Sequence, residues 1–276
     1  MTVSEETHTG PGAPDANGSL LSLRGVSKSF GPVQALTAVD FDVRAGEVVA
    51  LVGDNGAGKS TLIKAISGVG PADSGEFRWD GQPVRINAPH DSATLGIAVV
   101  YQDLALCDNL DVVANLFLGR ERKHGPGLAP LDEIEMEHEA RKLLDSLAVR
   151  TLKSVRAEVG MLSGGQRQSI AIARSLLGEP RMVILDEPTA ALGVAQTAQV
   201  LDLVVRLRDR GLGVILISHN LADVFQVADR IVVLRLGRNA GEYRADAQHR
   251  QAVVAAITGA EGDLAPTSSK QEEVTT

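Results

Sequence analysis

A mostly parallel α/β core, preceded by an antiparallel β subdomain and interrupted by a helical one, is the architecture this sequence predicts. Three observations carry that expectation. Met182-Val183-Ile184-Leu185 and Val214-Ile215-Leu216-Ile217 are continuously apolar and rich in β-branched residues, as strands covered on both faces are. Helical patterns lie between and after them. Val200, Leu203, Val204 and Leu207 share a face before a stop at Gly211, and Leu221, Val224, Phe225 and Ala228 share another. A third apolar run, Glu47 to Val52, passes through a glycine-rich turn into a helix over residues 60–67 that stops at Gly68. Strands alternating with helices in this way build a parallel sheet.

Taken in chain order, residues 1–19 lack the apolar stretch of a secretory signal; with Gly10, Pro11, Gly12, Pro14 and Gly18 they read as a disordered arm. Residues 20–46 read as antiparallel. Val39, Phe41 and Val43 alternate with Asp40, Asp42 and Arg44, the period of a half-buried strand, before a turn at Ala45-Gly46. Asp80-Gly81 marks a hairpin, with Phe77 and Trp79 on one face of its first strand and Trp79 there for packing. Residues 103–178 are largely helical. Their clearest helix runs from Leu131 to Leu147, with Ile134, Leu143, Leu144 and Leu147 on or near one side. Its acidic run is a solvated face helped by a Glu137/Arg141 pair. No internal repeat is visible, so residues 20–258 form one domain, and residues 259–276 read as a disordered tail.

Composition narrows the function. The 276 residues carry a formal charge of −8 and 3% aromatics, which speaks against a nucleic-acid partner. The one cysteine, Cys107, allows no intrachain disulfide and points to a reducing compartment, where it serves as a small hydrophobe. No apolar run reaches the ~18 residues of a membrane span.

The chemistry starts at Gly53-Asp54-Asn55-Gly56-Ala57-Gly58-Lys59-Ser60, which fits G-x-x-x-x-G-K-[ST] between a strand and a helix. Its glycines let backbone N–H groups approach an anion, and the helix N-terminus adds partial positive charge. Lys59 would reach the β- and γ-phosphates, and the Ser60 hydroxyl would ligate Mg²⁺. Asp186-Glu187 ends an apolar strand, where carboxylates face the crevice of an open parallel sheet. One of the pair would hold Mg²⁺ and the other would orient or deprotonate an attacking water. Ser163 is a sound N-cap for the helix after it. The consecutive Gly164 and Gly165, poor helix formers, make sense if a second anion approaches their N–H groups. His219 follows another strand aimed at the crevice.

These segments, in this order and spacing, resemble the ATPase domain of ABC transporters over about residues 20–258: the loop at 53–60, Leu162–Gln166, Asp186-Glu187 and His219. Gln102 resembles that family's Q-loop glutamine, and Phe30 the aromatic that stacks on adenine. The resemblance implies a P-loop NTPase fold of ABC type with ATP and Mg²⁺ as cofactors. It also implies a head-to-tail dimer that holds each ATP between Gly53–Thr61 of one copy and Ser163, Gly164, Gly165 and Gln166 of the other. On this reading Glu187 polarises water, His219 and Gln102 sense the γ-phosphate, and Asp186, with Ser60 and Gln102, supports Mg²⁺. A transmembrane permease, docked near Gln102 and the helical insertion, would be driven by closure of the dimer. The protein would be peripheral, on the cytoplasmic face of a bacterial membrane.

Pro89-x-Asp91, Gly96-Ile97, Gln102–Leu106, Asn109-Leu110 and Asn115–Glu121 narrow the resemblance to bacterial monosaccharide importers of the carbohydrate-uptake type, fed by an extracytoplasmic sugar-binding protein. Leu234–Arg238 is similar to their single-domain members. The alternatives are an exporter subunit or a soluble ABC ATPase acting on ribosomes or DNA. The latter usually carries a second ATPase domain or long coiled coils, which this sequence lacks. One position departs from the family: Ala190-Ala191-Leu192-Gly193 has glycine where an aspartate usually communicates across the dimer, which puts the coupling of the two sites in question.

Overall fold

A computed structural model describes residues 18–125, 129–149 and 151–260. Most of the expected N-terminal arm and C-terminal tail therefore lies outside the described residues. The first strand, β1 (Ser19–Phe30), begins at Ser19, inside the stretch assigned to that arm. It pairs antiparallel with β2 (Val33–Arg44), whose Val39, Phe41 and Val43 are buried as the alternation predicts. β3 (Val48–Val52) leads into α1 (Lys59–Ser67), which ends on Gly68. β4 (Ser74–Trp79) and β5 (Gln82–Val84) form the hairpin, and positive φ at both Asp80 (49°) and Gly81 (75°) gives the turn that matches strand twist. α2 (Pro89–Thr94) and β6 (Ile97–Val100) follow.

The helical insertion comprises α3 (Val112–Phe117), α4 (Glu133–Ser146) and α5 (Gly164–Leu176). The chain then returns to the core through β7 (Met182–Asp186), α6 (Val194–Asp209), β8 (Gly213–Ile217), α7 (Leu221–Val227) and β9 (Arg230–Arg235). β10 (Arg238–Arg244) and α8 (Arg250–Thr258) complete it. Among the described residues, no helix is long and apolar enough to cross a membrane.

Two sheets result. The antiparallel one has the order β2-β1-β4-β5. The other has the order β10-β9-β3-β8-β7-β6 and is parallel except for its β10 edge. Its central strands are buried on both faces because successive side chains enter different layers. Val183, Leu185, Val214 and Leu216 join the helical insertion and α6 in one cluster. Met182, Ile184, Ile215 and Ile217 join α1 and the antiparallel sheet in another.

One expectation fails inside α4. Its buried face is Met136, Ala140 and Leu144, while Ile134 is 82% exposed. Nine residues, about two and a half turns, separate Ile134 from Leu143, so the two point to opposite sides of the helix. The Glu137/Arg141 pair is present at 2.6 Å, and Glu137 also accepts from Arg156 at 2.7 Å.

Candidate functional site

The carboxyl ends of β3, β6, β7 and β8 lie along one edge of the parallel sheet, and four predicted segments sit there: the loop at 53–58, Gln102, Asp186-Glu187 and His219. The first is shaped by close backbone contact. At Gly53 (φ 148°) a Cβ would come within 2.2 Å of the Leu234 carbonyl oxygen. At Gly58 (φ 103°) it would lie 2.9 Å from that of Ala35. Gly58 also caps α1 without any side-chain hydrogen bond, so no side chain competes for the N-terminal N–H groups of that helix.

Lys59 folds back over the loop, its Nζ donating to the carbonyls of Gly53 (2.6 Å) and Asp54 (3.0 Å). Burial pushes its pKa below the usual lysine value, against the opposing charges of Glu187, Asp54 and Asp186. Asp186 shifts the other way: burial and then the charge of Glu187 raise its pKa, with Lys59 opposing.

A cleft of about 590 Å³ gathers Phe30, Asn55, Gly56, Ala57, Gly58, Lys59, Ser60, Thr61, Gln102, Asp186 and Glu187. Gly53, Asp54 and His219 line an adjoining hollow of about 170 Å³. At the apolar end of the cleft, Phe30 is joined by two residues that sequence reasoning missed, Val33 and Leu236, all three well exposed. Their signal was an exposed apolar side chain in a turn (Leu236) or directly after one (Val33). The cleft thus has an apolar end for a flat ring and a cationic, N–H-lined end for an anion, the pattern of a small-molecule site.

Glu187 has φ 51°, a left-handed conformation that costs a residue with a Cβ about 1–3 kcal/mol. Its N–H donates to the Ile217 carbonyl at 3.0 Å. Its Oε2 lies 2.7 Å from His219 Nδ1 and also accepts from the His219 N–H at 3.4 Å. The Gln102 side chain is exposed. Among the described residues no cluster of three or more His, Cys, Asp or Glu could hold a metal by itself. Mg²⁺, however, is usually held by one or two carboxylates plus substrate phosphates. Ser60, Asp186 and Gln102 around one cleft fit an ion that arrives with phosphate oxygens.

Ser163, Gly164, Gly165 and Gln166 do not line this cleft. Ser163 caps α5 reciprocally with Gln166: its N–H donates to Gln166 Oε1 at 2.9 Å, and its Oγ accepts from the Gln166 N–H at 3.4 Å. The paired glycines also have a packing reason within the chain. A Cβ on Gly164 would meet Leu192 Cδ2 at 2.9 Å, and one on Gly165 would meet Gln196 Cβ at 2.9 Å, so α5 starts tight against the α6 entry. Gly164 lines a different cleft of about 420 Å³ with Gln102, Glu187 and Leu192. Gly193 is the N-cap of α6, its N–H donating to Gln196 Oε1 at 3.3 Å.

Comparison with known proteins places this geometry. The profile describing the ABC transporter family matches residues 36–190. The fructose import ATP-binding protein FrcA of Rhizobium meliloti is 47% identical over 223 residues, 79% of this chain and 86% of that protein. The xylose/arabinose import ATP-binding protein XylG of Sulfolobus acidocaldarius is 48% identical, again over 79% and 86%. A ribose import ATP-binding protein, RbsA 2 of Escherichia coli O157:H7, is 42% identical over 82% of this chain but only 44% of its own length. Among solved structures, a nucleotide-free ATP-binding cassette from an ABC transporter superposes with TM-score 0.76 at 28% identity, covering 90% of this chain and 99% of its own. A dimeric cassette in a post-hydrolysis state with ADP and Pi superposes with TM-score 0.65 at 27% identity, covering 82% and 99%.

Proposed function

The chain belongs to the ABC transporter family, and from that premise we propose that it is the ATP-binding and hydrolysing subunit of an importer for a simple sugar, working through a separate membrane permease. One observation carries the hydrolytic part. Glu187, held by His219, shares a cleft with Lys59 and the uncapped start of α1. ATP bound there puts its triphosphate on the N–H groups of residues 55–61, its γ-phosphate beside Lys59 and its base against Phe30, Val33 and Leu236. Glu187 polarises a water toward the γ-phosphorus, and His219 and Gln102 sense that phosphate. Water attack breaks the bond to the β-phosphate oxygen, leaving ADP and phosphate. Ser60, Asp186 and Gln102 would hold Mg²⁺, which neutralises charge on the phosphates.

Relatives matched over most of their length are named for fructose and for xylose/arabinose import, which favours import over export and a monosaccharide as cargo. Ser163 to Gln166 lie outside the chain's own cleft. We assign them to the ATP of a second copy in a head-to-tail dimer. A groove of about 450 Å³ between the parallel core and the helical insertion includes Tyr101, Asp103 and Leu104 around the Gln102 segment, along with Leu118 and Arg174. It is a seat for the permease that touches the catalytic segment directly. The subunit then sits peripherally on the cytoplasmic face of the membrane, and an extracytoplasmic sugar-binding protein delivers the cargo.

The test is ATP turnover by the chain purified with its permease, screened against monosaccharide-loaded binding protein. Glu187→Gln is expected to keep ATP binding, trap a dimer and lower turnover by about 10²–10⁴-fold, the usual worth of a positioned general base. Undiminished turnover in that variant would falsify the mechanism. Stimulation by no sugar would remove the cargo assignment.

A further inference from the structure

The two loops that present Glu187 and His219 come from different strands, yet they are joined behind the site by one buried carboxylate. Asp223, in the first turn of α7, is only 7% exposed. Its Oδ2 accepts from Thr189 Oγ1 at 2.7 Å, and its Oδ1 accepts from Asn220 Nδ2 at 2.9 Å. Among the described residues no Lys or Arg forms an ion pair with it, so these two donors are what make its burial tolerable.

Both donors adjoin the chemistry. Thr189 belongs to the turn that starts at Glu187, itself at positive φ, and is closed by the Ala190 N–H on the Glu187 carbonyl at 3.1 Å. Asn220 follows His219 and caps α7 by accepting from the Ala222 N–H at 3.0 Å. The result is a closed ring. Glu187 runs by backbone to Thr189, by hydrogen bond to Asp223 and on to Asn220, by backbone to His219, and by hydrogen bond back to Glu187. Strained conformations persist only where the surroundings over-determine them, and this ring supplies the constraint from the side away from the cleft.

We propose that Asp223 is a positioning residue for ATP hydrolysis, which, through Thr189 and Asn220, fixes Glu187 and His219 relative to each other. The assignment rests on Glu187 being the group that activates water. It separates two quantities that a general folding role would move together. Nucleotide affinity resides in the loop at 53–61 and the apolar end of the cleft, which Thr189, Asn220 and Asp223 do not line; turnover depends on where Glu187 points.

The experiment measures phosphate release and equilibrium ATP binding by the full-length chain carrying Thr189→Val, Thr189→Ser, Asp223→Asn, or Thr189→Val with Asp223→Asn. Thr189→Val removes one hydroxyl donor at nearly constant shape; because it leaves Asp223 Oδ2 short of a partner, retained ATP binding serves as the check that each variant is folded. Small misplacements of catalytic groups cost up to about 10²-fold, so kcat should fall about tenfold or more while KM and Kd stay within about twofold. Thr189→Ser should recover wild-type kcat within about threefold, and the double variant should be no slower than the slower single, as for residues acting through one bond. Unchanged kcat in Thr189→Val, failure of serine to rescue, or a multiplicative double variant overturns the assignment. A wild-type chain with no ATP turnover sinks the hydrolytic reading and this role with it. A competent wild type with an indifferent Thr189→Val sinks this role alone.

Discussion

Lys59 and Asp186 lie in surroundings that resist their charges, burial displacing Lys59 downward from its ordinary pKa and Asp186 upward. The stability linked to Lys59 is therefore present at high pH and lost as pH falls through its depressed folded value. That linked to Asp186 is present at low pH and lost as pH rises through its raised one. A triphosphate beside Lys59 restores its proton affinity, and Mg²⁺ beside Asp186 lowers the carboxyl's. Binding of Mg-ATP should accordingly take up protons toward alkaline pH, through Lys59, and release them toward acidic pH, through Asp186. Calorimetry in buffers of different ionisation enthalpy reads both signs, and proton release on the alkaline side would contradict the assignment. At this scale the sequence was highly legible. Gly53–Ser60 carry their chemistry in consecutive residues, and strand ends deliver the single residues Gln102, Asp186, Glu187 and His219. What stayed hidden is the bond between Thr189 and Asp223, 34 residues apart, because no local pattern records which side chains meet across two loops.

Among the elements, α4 offers the sharpest contrast between pattern and packing. Leu144 is 3% exposed and Ile134 82%, though both are large aliphatics in one helix. Leu144→Ala should cost about 2–5 kcal/mol, since it leaves a cavity in the insertion's core. Ile134→Ala should stay within about 0.5 kcal/mol, as surface changes do. Denaturant unfolding of the two variants checks the difference, and equal losses would mean that α4 is rotated from the face described. The misreading arose because an exposed isoleucine in a first turn looks, in sequence, like the start of an apolar stripe. The paired Gly164 and Gly165 have a second, packing reason that their sequence does not display. Their rarity in a helix was visible, but the close approach of Leu192 and Gln196 that excludes a Cβ depends on a helix nearly thirty residues further along.

At the level of the whole molecule, one arginine ties the antiparallel subdomain to the parallel core. Arg230 at the start of β9 donates to Glu47 Oε1 (2.9 Å), to the Asp42 carbonyl (2.7 Å) and to Glu242 Oε1 (2.9 Å), joining residues of β2 and β10 to the turn before β3. Burial works against its charge, but Glu47 first, then Asp42 and Glu242, outweigh that effect and raise its pKa. Arg230→Met leaves three carboxylates without their shared cation and should destabilise the chain by about 3–5 kcal/mol. Thermal unfolding measures this, and an unchanged midpoint would mean that the network contributes nothing to holding the sheets. The same seam brings Phe30 and Lys59 to one cleft, since the β9–β10 turn bonds both to Thr37 of β2 (2.7 Å) and to Ala57 of the phosphate loop (3.1 Å).

The strand order has a consequence in time. β3, which carries the phosphate loop, is an early segment, yet its neighbours in the sheet are β8 and β9. About 165 residues separate Val48 from Gly213, and a ribosome adding about 5–20 residues per second needs roughly 8–33 s to supply them. Throughout that interval Val48–Val52 is an apolar strand with both edges open, the kind of segment that invites wrong pairing. Synthesis that pauses before β8 therefore prolongs a stage at which β3 is open to wrong pairing, and slow stretches are tolerated better once β9 has emerged.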